Sequence, residues 1–308
     1  MTMPIDSEEE LTRILTNPNT TQDEIKNLIE RDPNSNLNPF NSNLKLKLQS
    51  TSLNINDKWF NKAAREYRQN KYKEKIGRDF RGVKIVSEGD SWFQFPFLLK
   101  DVIDWLSDDY AIWSLDAAGD TLANMAATGN IMQIIDVIQE EKPHVFLISG
   151  GGNDMFANGV FSELLNTYQK KLTPEQYFNA NFDTFISKIM HLYSELFAKL
   201  SNHFPNLKIV CHGYDYIIPR TSIGIFMGNT MQEKGIRDGD LQRQIMKIAI
   251  DRLNEAQIQL VRKFPNRVFH VDCRTAVNTN NWFDEIHLNN YGFESVANRF
   301  KKVINKIA

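Results

Sequence analysis

Hydrophobic and polar positions alternate in a regular way from residue 83 to residue 306. Five short runs rich in β-branched and aromatic residues are separated by longer segments of helical periodicity. The runs are 83–87, 111–115, 144–149, 207–212 and 267–272. The helical segments are 97–107, 121–141, 177–203, 241–263 and 289–306. Because the runs are almost continuously apolar and each is followed by a helical segment, the pattern predicts a five-stranded parallel sheet covered on both faces, a three-layer α/β/α sandwich.

The first 45 residues follow a different pattern. Ser7 and Thr21 each precede a glutamate by three positions, which is the spacing of a capping box. Short helices are therefore predicted at 8–15 and 22–30. Nothing in the alternation of strands and helices requires these helices, so we interpret residues 1–45 as a separate small segment and a candidate interaction module.

A polar stretch at 32–43 follows these helices. It is rich in Asn, Pro and Ser, which favour turns, and we interpret it as a linker. The chain is therefore divided into residues 1–45 and a larger domain, 46–308, whose core is 83–306. The stretch 57–76 lacks a helix breaker and predicts an amphipathic helix, but its pattern does not decide to which part it belongs.

Composition and charge exclude several classes of protein. Of 308 residues, 36 are basic and 38 are acidic, so the formal net charge is −2 and binding to a nucleic-acid backbone is not favoured. No segment has the apolar length that spans a bilayer, and the acidic start of the chain differs from a secretory signal. Two cysteines, Cys211 and Cys273, are too few for a disulfide framework and are expected to be buried thiols. A cytoplasmic location is therefore expected.

Polar or glycine-rich segments follow four of the five predicted strands. They are 87–96, 115–121, 149–155 and a longer loop that ends at 282–290. In open parallel sheets, ligands bind beyond the carboxyl ends of the strands. The four segments contain a serine, a glycine, an asparagine and an Asp-x-x-His pair. These are the groups that acyl transfer requires as nucleophile, oxyanion donors, base and orienting carboxylate.

In this order the segments resemble the blocks of the SGNH (GDSL-type) hydrolase family. The resemblance covers about residues 83–306 and rests on GDSW, a block II glycine, GGND and DEIH. It implies a flavodoxin-like sheet and a hydrolase of carboxylic esters that uses neither a cofactor nor a metal ion. By position it assigns the site to Ser91, Gly119, Asn153, Asp284 and His287.

Each of these residues has a chemical role. The Ser91 hydroxyl needs a base, and the imidazole of His287, a group that ordinarily titrates near pH 6.5, is expected to take its proton. Asp284 can share a face with His287 if the segment turns helically, and it is expected to hold the tautomer of His287 and stabilise its imidazolium. The N–H groups of Ser91 and Gly119 and the amide of Asn153 are expected to stabilise the oxyanion. The two alanines before Gly119 also offer N–H groups, so that choice stays open.

Taken singly, these residues have simpler interpretations. Ser91 alone is typical of a helix cap before the segment at 97–107, and His287 alone is typical of a cap for the last helix. Asn153 alone is typical of a turn in a glycine-rich loop. Only the combination, with each block just beyond a predicted strand, favours the catalytic interpretation.

The substrate is less well defined. Two long connections, 156–176 and 213–240, are interpreted as candidate walls of a binding site. Weak candidates for substrate contact are Trp92, Asp215, Arg220 and Phe226. Trp92 stands where the family most often has leucine, which changes the wall beside the nucleophile. Apolar residues around Phe226 favour a substrate with an acyl chain, but packing of the loop explains these residues equally well. The expected substrate is therefore left as a small-molecule, lipid or sugar ester.

Three function hypotheses follow. The first is a metal-independent serine esterase, lipase or acetylesterase that forms an acyl-enzyme on Ser91. The second is an effector whose hydrolase body binds a protein partner, or a second copy of itself, through residues 1–45; the simpler interpretation is that this segment packs on the body. The third and weakest is a metallophosphoesterase, because GD and GGND faintly match its motifs but the D-x-H and N-H-D/E elements are absent.

Overall fold

A parallel sheet forms the centre of the protein. The structure is a computed structural model that describes residues 7–32, 44–47, 55–220 and 226–308. The strands in these ranges are β1 Ile29–Arg31, β2 Leu44–Leu46, β3 Lys84–Gly89, β4 Ala111–Ser114, β5 Val145–Ser149, β6 Lys208–Gly213 and β7 Val268–Asp272. Five of them form the parallel sheet in the order β4-β3-β5-β6-β7, which is the flavodoxin-like order. The predicted five-stranded sheet is confirmed.

The helices cover this sheet on both faces. They are α1 Glu8–Thr16, α2 Gln22–Leu28, α3 Asp57–Gly77, α4 Val102–Leu106, α5 Leu122–Met125, α6 Thr128–Glu141, α7 Gly152–Phe156, α8 Val160–Glu163, α9 Ala180–His203, α10 Phe226–Glu233, α11 Gly239–Val261 and α12 Asn290–Ile307. Helices α4 and α12 contact each other, and α9 contacts both α6 and α11. Since right-handed crossovers place these two groups on opposite faces, the predicted three-layer sandwich is confirmed. Among the described residues, no helix is long and apolar enough to cross a membrane.

Strand order determines where the site lies. The chain runs from β3 outward to β4 and then returns to β5 on the other side of β3. The connections after β3 and β5 therefore diverge, which leaves a crevice at the carboxyl ends of these two neighbouring strands. The serine and asparagine segments follow β3 and β5, so both open into this crevice.

Two of the predicted helices differ from the structure. The first turn of the segment at 97–107 is not helical, because Phe97 has a φ of 60° and Asp101 caps a shorter helix, α4. The segment at 121–141 is divided into α5 and α6 by the extended backbone of Ala127. Alanine carries no breaking signal, so local propensity did not predict this division.

The N-terminal helices begin at the predicted caps. The Ser7 side chain accepts a hydrogen bond from the Glu10 N–H, and Thr21 and Glu24 form a reciprocal capping box. Helix α2 ends two residues earlier than predicted, because Ile29 begins a strand that pairs antiparallel with β2. We call β1 and β2 together the N-terminal ribbon. The predicted linker at 32–43 lies outside the described residues except for its first position.

Helix α3 connects these elements to the sheet domain. Its apolar side contributes Phe60, Ala63 and Ala64 to a buried cluster whose other members are Leu11, Leu15, Ile25, Ile29, Leu44, Leu46 and Phe97. Its polar side faces the sheet, where Gln69 donates to the Ser114 carbonyl at 2.9 Å. The N-terminal helices and the ribbon thus pack on the same helix that contacts β4.

Candidate active site

Ser91, His287 and Asp284 form a continuous hydrogen-bonded row. The Ser91 Oγ lies 2.8 Å from Nε2 of His287. On the other side of the ring, Nδ1 lies 3.0 Å from each carboxylate oxygen of Asp284. With Nδ1–H donating to this carboxylate, the lone pair of Nε2 faces the Ser91 hydroxyl. His287 is fully buried, whereas the Asp284 side chain is 15% exposed.

The DEIH segment brings Asp284 and His287 together without a helical turn. Asp284 and His287 do not share a helical turn; the segment is a bend in which Phe283 N–H donates to the His287 carbonyl at 2.8 Å. Oδ1 of Asp284 accepts the N–H groups of Ile286 and His287 at 3.0 and 2.8 Å. The short carboxylate side chain competes with the backbone for these donors, as aspartate commonly does in turns.

A tight turn after β3 presents Ser91. Gly89 cannot be replaced without displacement of neighbours, because an added Cβ would lie 2.7 Å from the Phe93 ring and 2.8 Å from Cβ of Ser149. The carboxylate of Asp90 accepts the Trp92 N–H at 3.0 Å, the Ser149 hydroxyl at 2.7 Å and the Tyr214 hydroxyl. Burial raises the pKa of Asp90, although these hydrogen bonds oppose the shift. Asp90 therefore fixes the turn rather than facing solvent.

The N–H groups of Ala117, Ala118 and Gly119 in the block II loop have different partners. The Ala117 N–H donates to the Gly89 carbonyl at 2.8 Å, and the Ala118 N–H donates to Asn61 Oδ1 at 2.8 Å. Gly119 has a φ of 82°, and in the part of the chain that the structure describes its N–H has no protein acceptor. The same holds for the N–H of Ser91. Of the three neighbouring N–H groups in this loop, the one available to a ligand is that of Gly119.

Asn153 lies in the first turn of α7, just beyond β5. One N–H of its side chain donates to the Asp120 carbonyl at 2.5 Å, which leaves the second N–H of this amide. Gly152 before it has no room for a side chain, because an added Cβ would lie 2.9 Å from the Tyr214 ring. The neighbouring Asp154 accepts the N–H groups of Leu122 and Ala123 and thereby caps α5.

A small cavity joins the two sides of the crevice. Its volume is about 20 Å³, room for about one water-sized group. It is lined by Asp90, Ser91, Trp92, Gly152, Asn153, Phe156, Tyr214, Ile217 and Ile286. Ser91 and Asn153 thus border the same space, and the remaining walls are mostly apolar.

Burial and the contact between Asp284 and His287 shift the pKa values of groups in and near the site. Burial by itself would raise the pKa of Asp284, but the charge of His287 and hydrogen bonds from that residue and Ile286 lower the pKa to about 2. Elsewhere, burial lowers the pKa of His212 to about 4 and raises that of Cys211 to about 12. Cys211 and Cys273 are both buried and unpaired.

The four weak candidates for substrate contact have different surroundings. Trp92 lines the cavity and donates from Nε1 to the Ile286 carbonyl at 3.0 Å. Asp215 is buried, and its carboxylate accepts backbone N–H groups from Tyr216, Thr275 and Val277. The Arg220 N–H donates to Glu285, and the side chain of Phe226 lies outside the described residues. These contacts do not test a substrate role, which stays a prediction for all four.

Three residues that the sequence did not single out contact the site loops. Asn61 of α3 binds the backbone of Ala118 in block II. Arg31 of the ribbon lies 3.5 Å from the Asp284 carboxylate. Glu285, inside DEIH, accepts the N–H groups of Arg220, Met227 and Gly228 at 3.1, 3.0 and 2.8 Å. In the sequence, Asn61 inside a predicted helix and Glu285 inside DEIH are only weak signals of such contacts. No feature of the sequence indicated the contact of Arg31.

Comparisons with known proteins give structural neighbours only. No family model and no curated protein matches the chain. A family 3 carbohydrate esterase of Clostridium thermocellum is similar, with 16% identity and a TM-score of 0.45 over 73% of this chain and 96% of that one. A lipase from a goat rumen metagenome has 13% identity and a TM-score of 0.47 over 72% and 97%. A phospholipase A1 of Streptomyces albidoflavus has 14% identity and a TM-score of 0.46 over 73% and 99%.

Proposed function

We propose that the protein is a serine hydrolase that cleaves carboxylic esters through an acyl-enzyme on Ser91. The observation that carries this proposal is the row in which Ser91 Oγ lies 2.8 Å from His287 Nε2 while Nδ1 of the same ring lies 3.0 Å from Asp284. A serine within hydrogen-bond reach of a histidine that is oriented by a carboxylate is the arrangement that activates a hydroxyl for attack on a carbonyl.

The reaction proceeds in two halves. In the first, Ser91 Oγ attacks the ester carbonyl while Nε2 of His287 takes the hydroxyl proton. The tetrahedral intermediate then collapses, the alcohol leaves with the proton from His287, and an acyl-serine is formed. In the second half, water attacks the acyl-serine with the same imidazole as base, and the carboxylic acid leaves. Asp284 stays ionised and stabilises the imidazolium that forms in each half.

Three donors serve the oxyanion in this proposal. They are the N–H groups of Ser91 and Gly119 and the second N–H of the Asn153 side chain, none of which donates to a protein acceptor among the described residues. Donors held in place before the reaction cost no reorganisation when charge develops on the carbonyl oxygen. Their rigidity comes from the anchored turn of Asp90 and from the hydrogen bonds that hold Ala117 and Ala118.

We infer further that the acyl group is short. The cavity beside Ser91 is about 20 Å³, and Phe156, Ile217 and Ile286 line it with apolar side chains. A space of this size accepts about one methyl or water-sized group, so the methyl of an acetyl ester fills it and a longer chain extends beyond it.

The test combines covalent labelling with hydrolysis assays. Wild-type protein and Ser91→Ala are exposed to a fluorophosphonate and digested for mass spectrometry, and p-nitrophenyl acetate is the first substrate. A single adduct on Ser91, absent from the variant, together with esterase activity that disappears in Ser91→Ala, is the expected result. The absence of both adduct and hydrolysis from folded wild-type protein would contradict the proposal.

A chelator separates the remaining hypotheses. Activity that survives dialysis against EDTA supports the serine mechanism, whereas loss that is restored by a divalent metal favours the metallophosphoesterase.

Recruitment through residues 1–45 is a second proposal with its own test. Residues 1–45 are deleted, self-association is measured by light scattering, and binding of a defined partner is measured by affinity purification. If the deletion changes neither, the recruitment proposal is contradicted.

A further inference from the structure

The N-terminal ribbon supplies a cation to the proposed triad. Nη2 of Arg31, the last residue of β1, lies 3.5 Å from Oδ2 of Asp284. Its guanidinium carbon also lies 5.3 Å from the centre of the Phe283 ring, so the planar group is held between a carboxylate and an aromatic face. Stacking and pairing together fix a guanidinium better than either contact alone.

The ribbon that holds Arg31 is itself anchored. Ile29 of β1 and Leu44 and Leu46 of β2 belong to the buried cluster on α3, and Arg31 pairs in register with Leu44. The Arg31 side chain is 23% exposed. Its position is thus determined by packing of the N-terminal elements on α3 and not by the sheet domain alone.

The two oxygens of Asp284 have different partners. Oδ1 accepts the N–H groups of Ile286 and His287, whereas Oδ2 faces the guanidinium of Arg31. Both oxygens lie 3.0 Å from Nδ1 of His287. Arg31 therefore closes the side of the carboxylate that the backbone leaves open, which fixes the plane of the carboxylate relative to the imidazole.

We propose that Arg31 is a positioning residue of the triad: it holds the Asp284 carboxylate in place and reduces the tendency of His287 to retain a proton. The proposal rests on the function proposed above. A cation beside Asp284 offsets part of the negative potential that would otherwise stabilise an imidazolium, so more His287 is in the neutral form that can act as a base.

The charged groups around His287 show why such an offset matters. Asp284 is in contact with the ring, and the buried Asp90 also interacts with it electrostatically. Glu285, adjacent in the chain, directs its carboxylate to the backbone N–H groups of Arg220, Met227 and Gly228. Asp284 and Asp90 are thus the acidic groups that act on the ring, and among the described residues Arg31 is a cation in contact with Asp284.

The experiment measures the titration of His287 by NMR in a Ser91→Ala background, which does not depend on turnover. The six histidines are distinguished by the signal that disappears in His287→Gln. Arg31→Met removes the charge and keeps an apolar stem. We expect the titration midpoint of His287 to rise by about 0.5 to 1 pH unit. This is the size of effect expected from removal of one charge that lies a few ångströms beyond contact distance from the ring.

Two variants serve as controls. Arg13→Met removes an exposed positive charge from α1 and should leave the midpoint of His287 unchanged. Arg31→Lys keeps the charge with a different shape and should stay close to wild type. If Arg31→Lys shifts the midpoint as much as Arg31→Met does, lost packing and not lost charge is responsible, and the proposal is overturned. Arg31→Gln replaces the Met variant if the latter does not fold.

A folded Arg31→Met protein with the wild-type midpoint would also overturn the proposal. The acidic limb of kcat/KM for p-nitrophenyl acetate should move by the same amount as the NMR midpoint. If the wild-type protein neither hydrolyses esters nor reacts with the fluorophosphonate, yet the midpoint moves as expected, then the proposed function fails while the electrostatic link between Arg31 and His287 stands.

Discussion

The side chain of Asn61 binds both backbone groups of Ala118. Its Oδ1 accepts the Ala118 N–H at 2.8 Å, and its Nδ2 donates to the Ala118 carbonyl at 3.2 Å. The same Oδ1 accepts a hydrogen bond from the side chain of Gln94 at 2.9 Å. Because Gly119 follows directly, Asn61 determines where the free N–H of Gly119 points.

We predict that Asn61→Ala lowers kcat for a short ester by about 10- to 100-fold with little change in KM, because a displaced oxyanion donor acts mainly on the transition state. Lys62→Ala is the matched control, since the Lys62 side chain is 70% exposed. Steady-state kinetics and thermal unfolding of both variants test the prediction. An unchanged kcat in a folded Asn61→Ala protein would contradict it.

Replacement of Asp284 by asparagine should leave the fold intact and reduce turnover by about 10⁴, the size of this effect in a serine protease. The amide no longer selects the Nδ1–H tautomer of His287 or stabilises its imidazolium. Asp136→Asn, at an exposed position of α6, controls for the chemical change. Turnover is measured with p-nitrophenyl acetate and folding by circular dichroism; loss of less than tenfold would argue against the proposed role of Asp284.

The pH profile of kcat/KM should show a single ionisation on its acidic side. Because the pKa of Asp284 is lowered to about 2, this carboxylate stays ionised over the whole working range. Only neutral imidazole accepts a proton, so the rate should rise through the titration of His287 and become constant in mild alkali. A rate that is flat from about pH 5 to 8, across the usual imidazole range, would exclude His287 as the base.

His212 should make the folded state sensitive to acid. Burial lowers its pKa in the folded state to about 4, whereas an unfolded histidine titrates near 6.5. Between these values the unfolded chain binds a proton that the folded protein does not, so the stability contributed by neutral His212 is present above the unfolded pKa and is lost as the pH falls toward 4.

We therefore predict that the free energy of unfolding of wild type decreases more steeply than that of His212→Gln between about pH 7.5 and 4.5, by about 2 to 3 kcal/mol for one such group. Urea unfolding at several pH values measures both slopes. His191→Gln is the control, because the side chain of His191 is 69% exposed. Parallel slopes for wild type and His212→Gln would show that His212 titrates normally.

Enlarging the cavity should change acyl preference. Ile217 lines the cavity, and its replacement by alanine adds room for longer chains, so the ratio of acetyl to hexanoyl ester hydrolysis should fall by about tenfold or more. Ile218→Ala is the control, since this neighbour is only partly buried and does not line the cavity. If the ratio of acetyl to hexanoyl ester hydrolysis changes equally in both variants, the cavity does not bind the acyl group.

Much of the sheet domain followed from local pattern, whereas the candidate site residues were assigned by resemblance to the SGNH blocks. Apolar strand runs identify their own ends within one or two residues, and the carboxyl ends of parallel strands identify the edge where chemistry occurs. Ser91, Gly119, Asn153, Asp284 and His287 were all found at this edge because each stands directly after a strand or in a long loop beyond one. Their catalytic roles, a cytoplasmic location and the boundary at residue 45 stay predictions.

Other features depended on tertiary contacts. The helical segment at 121–141 is divided by the extended backbone of Ala127, which has no side-chain cap. The DEIH segment forms a bend instead of a helical turn, because the Asp284 carboxylate accepts the backbone N–H groups of Ile286 and His287. Likewise, the choice among the three N–H groups of block II depended on Asn61, which lies in a helix far earlier in the chain.

The sequence by itself determined the sheet, its edge and the residue types that meet there, because hydrophobic period and strand ends are local properties. Only the tertiary structure decided which donors stay free, how small the cavity beside Ser91 is, and that Arg31 of the N-terminal ribbon lies against Asp284. These depend on distances between segments that are remote in the chain, and such distances are set by packing of α3 and the ribbon on the domain.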